Sequence, residues 1–245
     1  MKFDDVVFFS PGSVIRRSVS ILALEMPIFL TISALAFSPS IVMMVIAGQP
    51  GGSIGGQLLG VFSYIIFRIC QPLATAMLTH GVFRRLRGEQ ASIRESLQTG
   101  LSRFLPVVVF SLLSTLIISL GYLLCSIPGI VFSCMLYAGM PSVVAEGKGP
   151  IEAIRRSNSL TKEFRWPILG LLITVWVTST MMSGVVLSVV SSFDAPLISL
   201  LELIGTYLTQ VLTAALSGVL TAVTYHDLRD SRDGIDSGDL ISVFN

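Results

Sequence analysis

Residues 104–125 read FLPVVVFSLLSTLIISLGYLLC, a stretch that contains no charged side chain. A transmembrane α-helix needs about 20 consecutive apolar residues, so this stretch is long enough to cross a bilayer. Further apolar runs lie on both sides of it, and the charged residues cluster in short islands between the runs. Only 13% of the chain is charged, against roughly a quarter in soluble domains. The sequence therefore predicts an all-α, polytopic membrane protein.

The apolar runs predict six transmembrane helices. We expect Ser38-Pro39-Ser40 to interrupt the first, and Gly139 and Pro141 to kink or break the short fourth, because proline removes a backbone hydrogen bond. If the fourth run does not cross the membrane, the helix count and the location of the C-terminus change. The predicted boundaries are about 23–46, 57–78, 104–125, 129–144, 166–190 and 197–224.

Lysine and arginine are confined to alternate connections. The connections after the first, third and fifth spans contain neither, whereas those after the second and fourth contain five basic residues each. Basic connections favour the cytoplasmic side of a membrane. We therefore expect a multi-pass protein of the cytoplasmic (inner) membrane with both termini in the cytoplasm.

A short motif recurs before the first, third and fifth spans. Ile-Arg-Arg-Ser or Ile-Arg-Glu-Ser occupies 15–18, 93–96 and 154–157, and a proline follows the isoleucine by 12 or 13 residues. Each motif lies on a short amphipathic stretch that can rest at the membrane surface. The pattern predicts a six-helix domain over 1–228, built as three hairpins that each follow an amphipathic cytoplasmic helix. The repeat units are about 11–80, 90–146 and 150–228, and 229–245 are expected to form a cytoplasmic tail.

The N-terminal arginine pair also resembles part of a secretory signal, since Arg16 and Arg17 precede an apolar run. Glu25 and Pro27 interrupt that run, and the same pair recurs at 155–156. The recurrence favours a structural role for the pair.

The arginines of the amphipathic helices are candidate contacts for anionic lipid headgroups. Each gains about 1 kcal/mol near an anionic leaflet. Specific headgroup binding at the cytoplasmic face and ordinary connecting helices are both consistent with the pattern. The candidates are Arg16, Arg17, Arg94, Arg155 and Arg156.

Arg68 lies near the middle of the second predicted span. A charge at that depth costs about 2.5–3.5 kcal/mol on insertion scales, so we expect Arg68 to face the bundle interior and to pair with a carboxylate. Glu202 and Glu25 are the candidate partners, and Gln71 lies one turn away. The set is consistent with a site for an anionic ligand, with a gating ion pair, and with a structural pair that fixes helix packing.

The sequence contains no motif of the common membrane enzymes. HExxH is absent, and both histidines, His80 and His226, lie at the ends of spans, which excludes zincin-type and rhomboid-type proteases. There is no Walker A or dinucleotide-binding fingerprint. We predict no enzymatic activity, catalytic residue, cofactor or metal, and a net charge of +1 gives no reason to expect nucleic acid as a partner. The cysteines, Cys70, Cys125 and Cys134, are expected to be buried free thiols.

Several short motifs lie in the second half of the chain: IPGI at 127–130, PxxVxEG at 141–147, AxRRSxxLT at 153–161, Trp166, and YHDLR at 225–229. Together they resemble the bacterial six-helix YciC-like membrane proteins and the related membrane domain attached to some glycerophosphodiester phosphodiesterases. The resemblance implies the six-helix fold from about residue 126 onward. It implies no chemistry, because the catalytic work of those phosphodiesterases belongs to a separate soluble domain.

Two functions are consistent with these features. One is a non-enzymatic membrane protein that binds lipid, or a membrane or soluble protein partner, in envelope organisation. The alternative is a transporter or channel for a small or lipidic anionic substrate with Arg68 in its pathway. A cavity that ends on Arg68 favours transport, whereas a dry interior with Arg68 paired to Glu202 or Glu25 argues against it.

Overall fold

A computed structural model describes residues 11–47, 54–192 and 195–243. These residues form α-helices and no strand. The helices are α1 (Pro11–Leu24), α2 (Met26–Ala47), α3 (Ile54–Leu86), α4 (Ile93–Ser102), α5 (Phe104–Leu124), α6 (Ser126–Leu136), α7 (Gly139–Ala145), α8 (Pro150–Thr161), α9 (Arg165–Val190) and α10 (Ala195–Val243).

Six segments of the described chain are long and apolar enough to cross a bilayer: α2, α3, α5, the α6–α7 pair, α9 and α10. They are arranged as three hairpins, α2–α3, α5 with α6–α7, and α9–α10, and the short helices α1, α4 and α8 precede them. The chain is therefore a polytopic membrane protein of the predicted all-α class.

The first span is not interrupted, so that prediction is wrong. Helix α2 continues through Pro39. Pro39 has no N–H to donate to the Leu35 carbonyl, but the hydroxyl of Ser38 donates to that carbonyl at 2.8 Å. Because a neighbouring serine satisfies the freed acceptor, the helix tolerates proline within the membrane.

The fourth span is broken, as predicted. Helix α6 ends at Leu136 and α7 begins at Gly139. The break frees backbone carbonyls, and helix α8 supplies donors for one of them. The hydroxyls of Ser157 and Thr161 donate to the Met135 carbonyl at 2.6 and 3.3 Å. The broken span is thereby fixed to the amphipathic helix beside it.

Ion pairs join distant segments at one end of the bundle, which we call the basic end; the opposite end is the far end. Arg85 on α3 lies 3.3 Å from Glu25, between α1 and α2. Arg232 on α10 lies 2.9 Å from Glu163, just before α9. The basic residues that are scattered along the sequence therefore gather on one side of the six spans.

The three short helices present the recurring motif in the same way. Its serine is fully buried in each copy, at Ser18, Ser96 and Ser157. The arginine two residues earlier is exposed, at Arg16, Arg94 and Arg155. Each motif thus places one small residue against the bundle and one charge away from it. A common origin of the three units stays a prediction.

The last helix is longer than its predicted span. Helix α10 continues from Ala195 to Val243, so residues 229–243, which were expected to form a tail, extend the same helix.

Candidate functional site

A cleft of about 440 Å³ lies within the spanning bundle. Helix α9 forms one side, α2 and α3 form the other, and α10 lies at the back. Helix α9 packs along α10 but makes little contact with α2 or α3. The cleft therefore opens between α9 and the first hairpin, toward the position that lipid would occupy. We call it the polar cleft.

The back of the polar cleft is a polar stripe on α10. Its residues are separated by three or four positions, apart from one adjacent pair, and therefore share one face of the helix. A polar face within a spanning helix marks a protein interior or a water-filled space. The residues are Glu202, Thr206, Thr209, Gln210 and Thr213.

The side walls combine polar and apolar groups. Gln71 on α3 and Ser179 and Ser183 on α9 add three polar side chains. Phe37 on α2 and Phe67 on α3 form an aromatic wall, with their ring centroids 5.8 Å apart. A molecule in the cleft would therefore meet polar groups along α10 and apolar surface beside them.

Most of the polar side chains in the cleft have no hydrogen-bond partner among the described residues. Thr209 donates to the Gly205 carbonyl of its own helix at 2.9 Å, the usual way in which a membrane helix satisfies a threonine. Six other side chains make no hydrogen bond with any residue that the structure describes: Gln71, Ser179, Glu202, Thr206, Gln210 and Thr213. The hydroxyl oxygen of Thr213 is buried. Because an unpaired polar group is expensive in a membrane interior, the other five are available to water or to a ligand.

Toward the basic end, the cleft is closed by a tightly packed layer. A Cβ atom on Gly218 would lie 2.6 Å from Cδ1 of Leu78, so only glycine lets α10 approach α3 this closely. Ala74, Ala215 and Val219 are fully buried at the same level.

Beyond this layer, a second cavity of about 290 Å³ lies between the ends of α3 and α7 and residues 225–230 of α10. We call it the basic-end pocket. Its first residue on α3, His80, is nine positions from Gln71 in the polar cleft, or about 13 Å along the helix.

The structure does not place Arg68 in the bundle interior, so that prediction is wrong. Arg68 is exposed, and its guanidinium donates to the hydroxyl of Thr115 on α5 at 3.0 Å. Its neighbours Phe67 and Gln71 line the polar cleft. Since successive helical residues point about 100° apart, Arg68 faces α5 instead.

The predicted network of Arg68, Gln71, Glu25 and Glu202 is divided among three places. Glu25 is buried, with only 6% of its surface exposed, and it pairs with Arg85. It also accepts a hydrogen bond from the Ala91 backbone N–H at 3.2 Å. Glu25 therefore fixes the corner between α1 and α2 to the loop before α4. Only Gln71 and Glu202 come together, and they do so in the polar cleft.

The candidate headgroup arginines fall into two groups. Arg16, Arg94 and Arg155 are exposed and make no ion pair with any described residue. Arg17 lies 3.1 Å from Asp227, which is only 8% exposed, and Arg156 lies 3.2 Å from Glu146. The first group is available to lipid, and the second group joins helices.

Glu146 is the centre of a cluster at the basic end. Lys148 and Arg156 pair with its carboxylate, and the hydroxyl of Tyr225 donates to it. Burial alone raises the pKa of Glu146, but the hydrogen bonds from Lys148 and Tyr225 and the positive charge of Arg156 outweigh burial and lower it. The cluster links α7, α8 and α10.

The polar stripe was missed at the sequence level, although the sequence contained the signal. Threonine and glutamine hardly reduce the hydropathy of a long apolar run, but their spacing after Glu202 follows the helical period. No protein-family model, curated protein or solved structure matches the chain. The resemblance to YciC-like proteins therefore stays a prediction, and the site is interpreted from its own chemistry.

Proposed function

We propose that the chain is a non-enzymatic protein of the cytoplasmic membrane that binds an amine-bearing lipid or amphiphile in the polar cleft. The observation that carries this proposal is that Glu202, Thr206 and Gln210 on the stripe, together with Gln71 on α3, line one laterally open cleft and have no side-chain hydrogen bond to any described residue. The volume of about 440 Å³ falls within the range of small-molecule sites.

The polar side chains of the cleft indicate which kind of lipid headgroup would bind there. Glu202 contributes a negative charge, and the amide oxygens of Gln71 and Gln210 add hydrogen-bond acceptors. A primary ammonium group offers one positive charge and three N–H donors, so it matches this set. An anionic headgroup would face the Glu202 carboxylate unfavourably.

The remaining walls fit an acyl chain. Phe37, Phe67 and Val186 provide apolar surface next to the stripe, and the opening between α9 and the first hairpin leads to the lipid phase. Glu202 is seven residues from the start of α10, or about 10 Å along the helix. This position near the far end places a headgroup close to the membrane surface while its chain extends along the bundle.

The test measures lipid binding by the purified protein in nanodiscs. We expect phosphatidylethanolamine to raise the unfolding temperature more than phosphatidylcholine, whose quaternary amine has no N–H donor. We expect Glu202→Gln to remove that difference, because hydrogen bonds to charged groups contribute about 1.5–3 kcal/mol. Glu152→Gln is the matched control, since Glu152 is an exposed carboxylate on α8.

A second experiment adds free ethanolamine in place of the lipid. If ethanolamine stabilises the protein to the same extent as phosphatidylethanolamine, the ligand is a soluble amine. An equal response of Glu202→Gln and wild type to phosphatidylethanolamine would contradict the proposal.

Transport is the second candidate, and one observation favours it. The polar cleft and the basic-end pocket lie along the same two helices, α3 and α10, on opposite sides of the packed layer at Leu78 and Gly218. In a carrier, a central site opens to each side of the membrane in turn, and separation of this layer would give the polar cleft access to the basic end. Arg68 lines neither cavity, so a pathway through this bundle would not use it.

Proteoliposomes separate binding from transport. A carrier would move a labelled amine lipid between leaflets, and Glu202→Gln would slow that movement. If wild-type proteoliposomes bind the amine lipid specifically but do not move it between leaflets, the protein binds lipid and does not transport it.

A further inference from the structure

The basic-end pocket has a different chemistry from the polar cleft. Its volume is about 290 Å³, and the apolar residues Val144 and Ala145 at the end of α7 form part of its wall. Nitrogen-bearing side chains dominate the rest: His80, Arg84, Arg87, His226 and Arg229, with Asp230 as the carboxylate.

The formal charges of the lining favour an anion. Three arginines, Arg84, Arg87 and Arg229, line the pocket together with one carboxylate, Asp230. Arg84 pairs with Glu89 at 2.9 Å and with Glu95, which both lie outside the lining.

Two other groups remain available. Arg87 makes no ion pair with any described residue. The Nδ1 atom of His80 is buried and has no hydrogen-bond partner among the described residues. The other ring nitrogen, Nε2, is neither buried in this way nor bonded to a described residue, so it is the nitrogen that can donate to a ligand in the pocket.

We propose that the basic-end pocket is a binding site for a phosphate group. Arginine binds phosphate oxygens through two parallel N–H donors, and an imidazole N–H can donate to a third oxygen. Arg87 and His80 provide these donors, and Arg229 extends the positive wall from α10. The pocket is large enough for a phosphate and the carbon atoms next to it.

A phosphate group can come from a lipid of the adjacent leaflet or from a soluble phosphorylated compound. The pocket lies where the spanning helices α3 and α10 reach the basic end, so both sources have access. The chemistry of recognition is the same for each. The proposal is independent of the polar cleft, because the two cavities share no lining residue.

The experiment uses the full-length protein in phosphatidylcholine nanodiscs that contain either phosphatidic acid or diacylglycerol. These two lipids differ only in the phosphate. We expect phosphatidic acid to raise the unfolding temperature of the wild type relative to diacylglycerol. We expect Arg87→Gln and His80→Leu each to weaken the binding of phosphatidic acid at least tenfold, since hydrogen bonds to charged groups contribute about 1.5–3 kcal/mol.

Two control variants make the result specific. Lys162→Gln removes an exposed basic residue at the end of α8, outside the pocket and outside the candidate headgroup contacts, and should bind phosphatidic acid as the wild type does. Glu202→Gln should also retain the response, since it alters only the polar cleft. Calorimetric titration with inorganic phosphate identifies the source, because a soluble phosphate should bind and compete with the lipid, whereas a lipid-specific site should ignore it.

The proposal is wrong if neither inorganic phosphate nor phosphatidic acid stabilises the protein. It is also wrong if Lys162→Gln weakens lipid binding as much as Arg87→Gln does, because the effect would then be general surface charge.

Discussion

Gly205 on α10 lies directly against the side chain of Val186 on α9, with no space for a Cβ atom between them. Close approach at a small residue is the usual way in which membrane helices pack. Since Val186 also lines the polar cleft, this contact sets the distance between α9 and the polar stripe.

Gly205→Ala should therefore push α9 away from α10. We expect the free energy of unfolding in detergent to fall by about 1–3 kcal/mol, the usual effect of overpacking. Gly184→Ala on α9 is the matched control, because nothing lies within 4 Å of the Cβ that it would add. The Gly184→Ala variant should be as stable as the wild type or slightly more stable, since alanine forms helices better than glycine does.

The double variant Gly205→Ala with Val186→Ala tests the cause. The smaller side chain makes room for the added methyl group, so the double variant should be more stable than the sum of the two single changes predicts. Additive losses would show that the two residues do not share a contact.

Glu146 should make stability depend on acid pH. Its pKa in the folded protein is lowered, because the hydrogen bonds from Lys148 and Tyr225 and the charge of Arg156 outweigh burial. A lowered pKa means that the stabilisation is fully present above the pKa of the unfolded chain, about 4.3, and is lost as the pH falls through the folded value. We expect Glu146→Gln to remove part of the loss of stability that the wild type shows as the pH falls below about 4.3.

Unfolding free energies measured from pH 7 to pH 3 check this expectation. Glu152→Gln serves as the control, because Glu152 is exposed and should keep the wild-type pH dependence. The same acid dependence in Glu146→Gln as in the wild type would assign the effect to other carboxylates.

Arg68 should tolerate replacement by an apolar residue. It is exposed at the middle of α3 with only the Thr115 hydroxyl as a hydrogen-bond partner among the described residues. Arg68→Met should ease membrane insertion of the α3 segment by about 2.5–3.5 kcal/mol and leave the folded protein at least as stable. An insertion assay and an unfolding titration measure the two effects.

A buried ion pair would give the opposite result. Removal of one partner leaves an uncompensated charge and costs about 3–5 kcal/mol. A loss of that size in Arg68→Met, with no loss in Thr115→Val, would mean that Arg68 has a carboxylate partner after all.

The sequence predicts the spans well and the orientation of their side chains poorly. Apolar runs and basic islands locate the helices, because lipid requires length and low charge. In a helix such as α3, apolar residues occur on every face, so hydropathy does not show that Phe67 faces the cleft while Arg68 faces α5. The partner of Arg68 was predicted incorrectly for that reason.

The sequence pattern also did not reveal side-chain hydrogen bonds that compensate for proline, or ion pairs between distant residues. Proline breaks helices in general, but the hydroxyl of Ser38 donates a hydrogen bond to the carbonyl that Pro39 leaves free. Glu25 pairs with Arg85, which lies on a distant helix. The polar stripe on α10 was different, since its spacing is visible in the sequence once threonine and glutamine are counted with Glu202.

Cys125 provides a direct test of the predicted orientation. It lies between α5 and α6 at the far end and is exposed, whereas Cys70 and Cys134 are buried. The expectation that all three thiols are buried is therefore wrong for Cys125.

If both termini are cytoplasmic, the far end faces outward. A membrane-impermeant maleimide should then label intact cells stripped of their outer layers, and Cys125→Ser should abolish the labelling. Arg155→Cys in that background marks the basic end and should react only after the membrane is permeabilised, because the reagent cannot reach the cytoplasm. The reverse pattern would place the basic end outside and overturn the assignment of both termini.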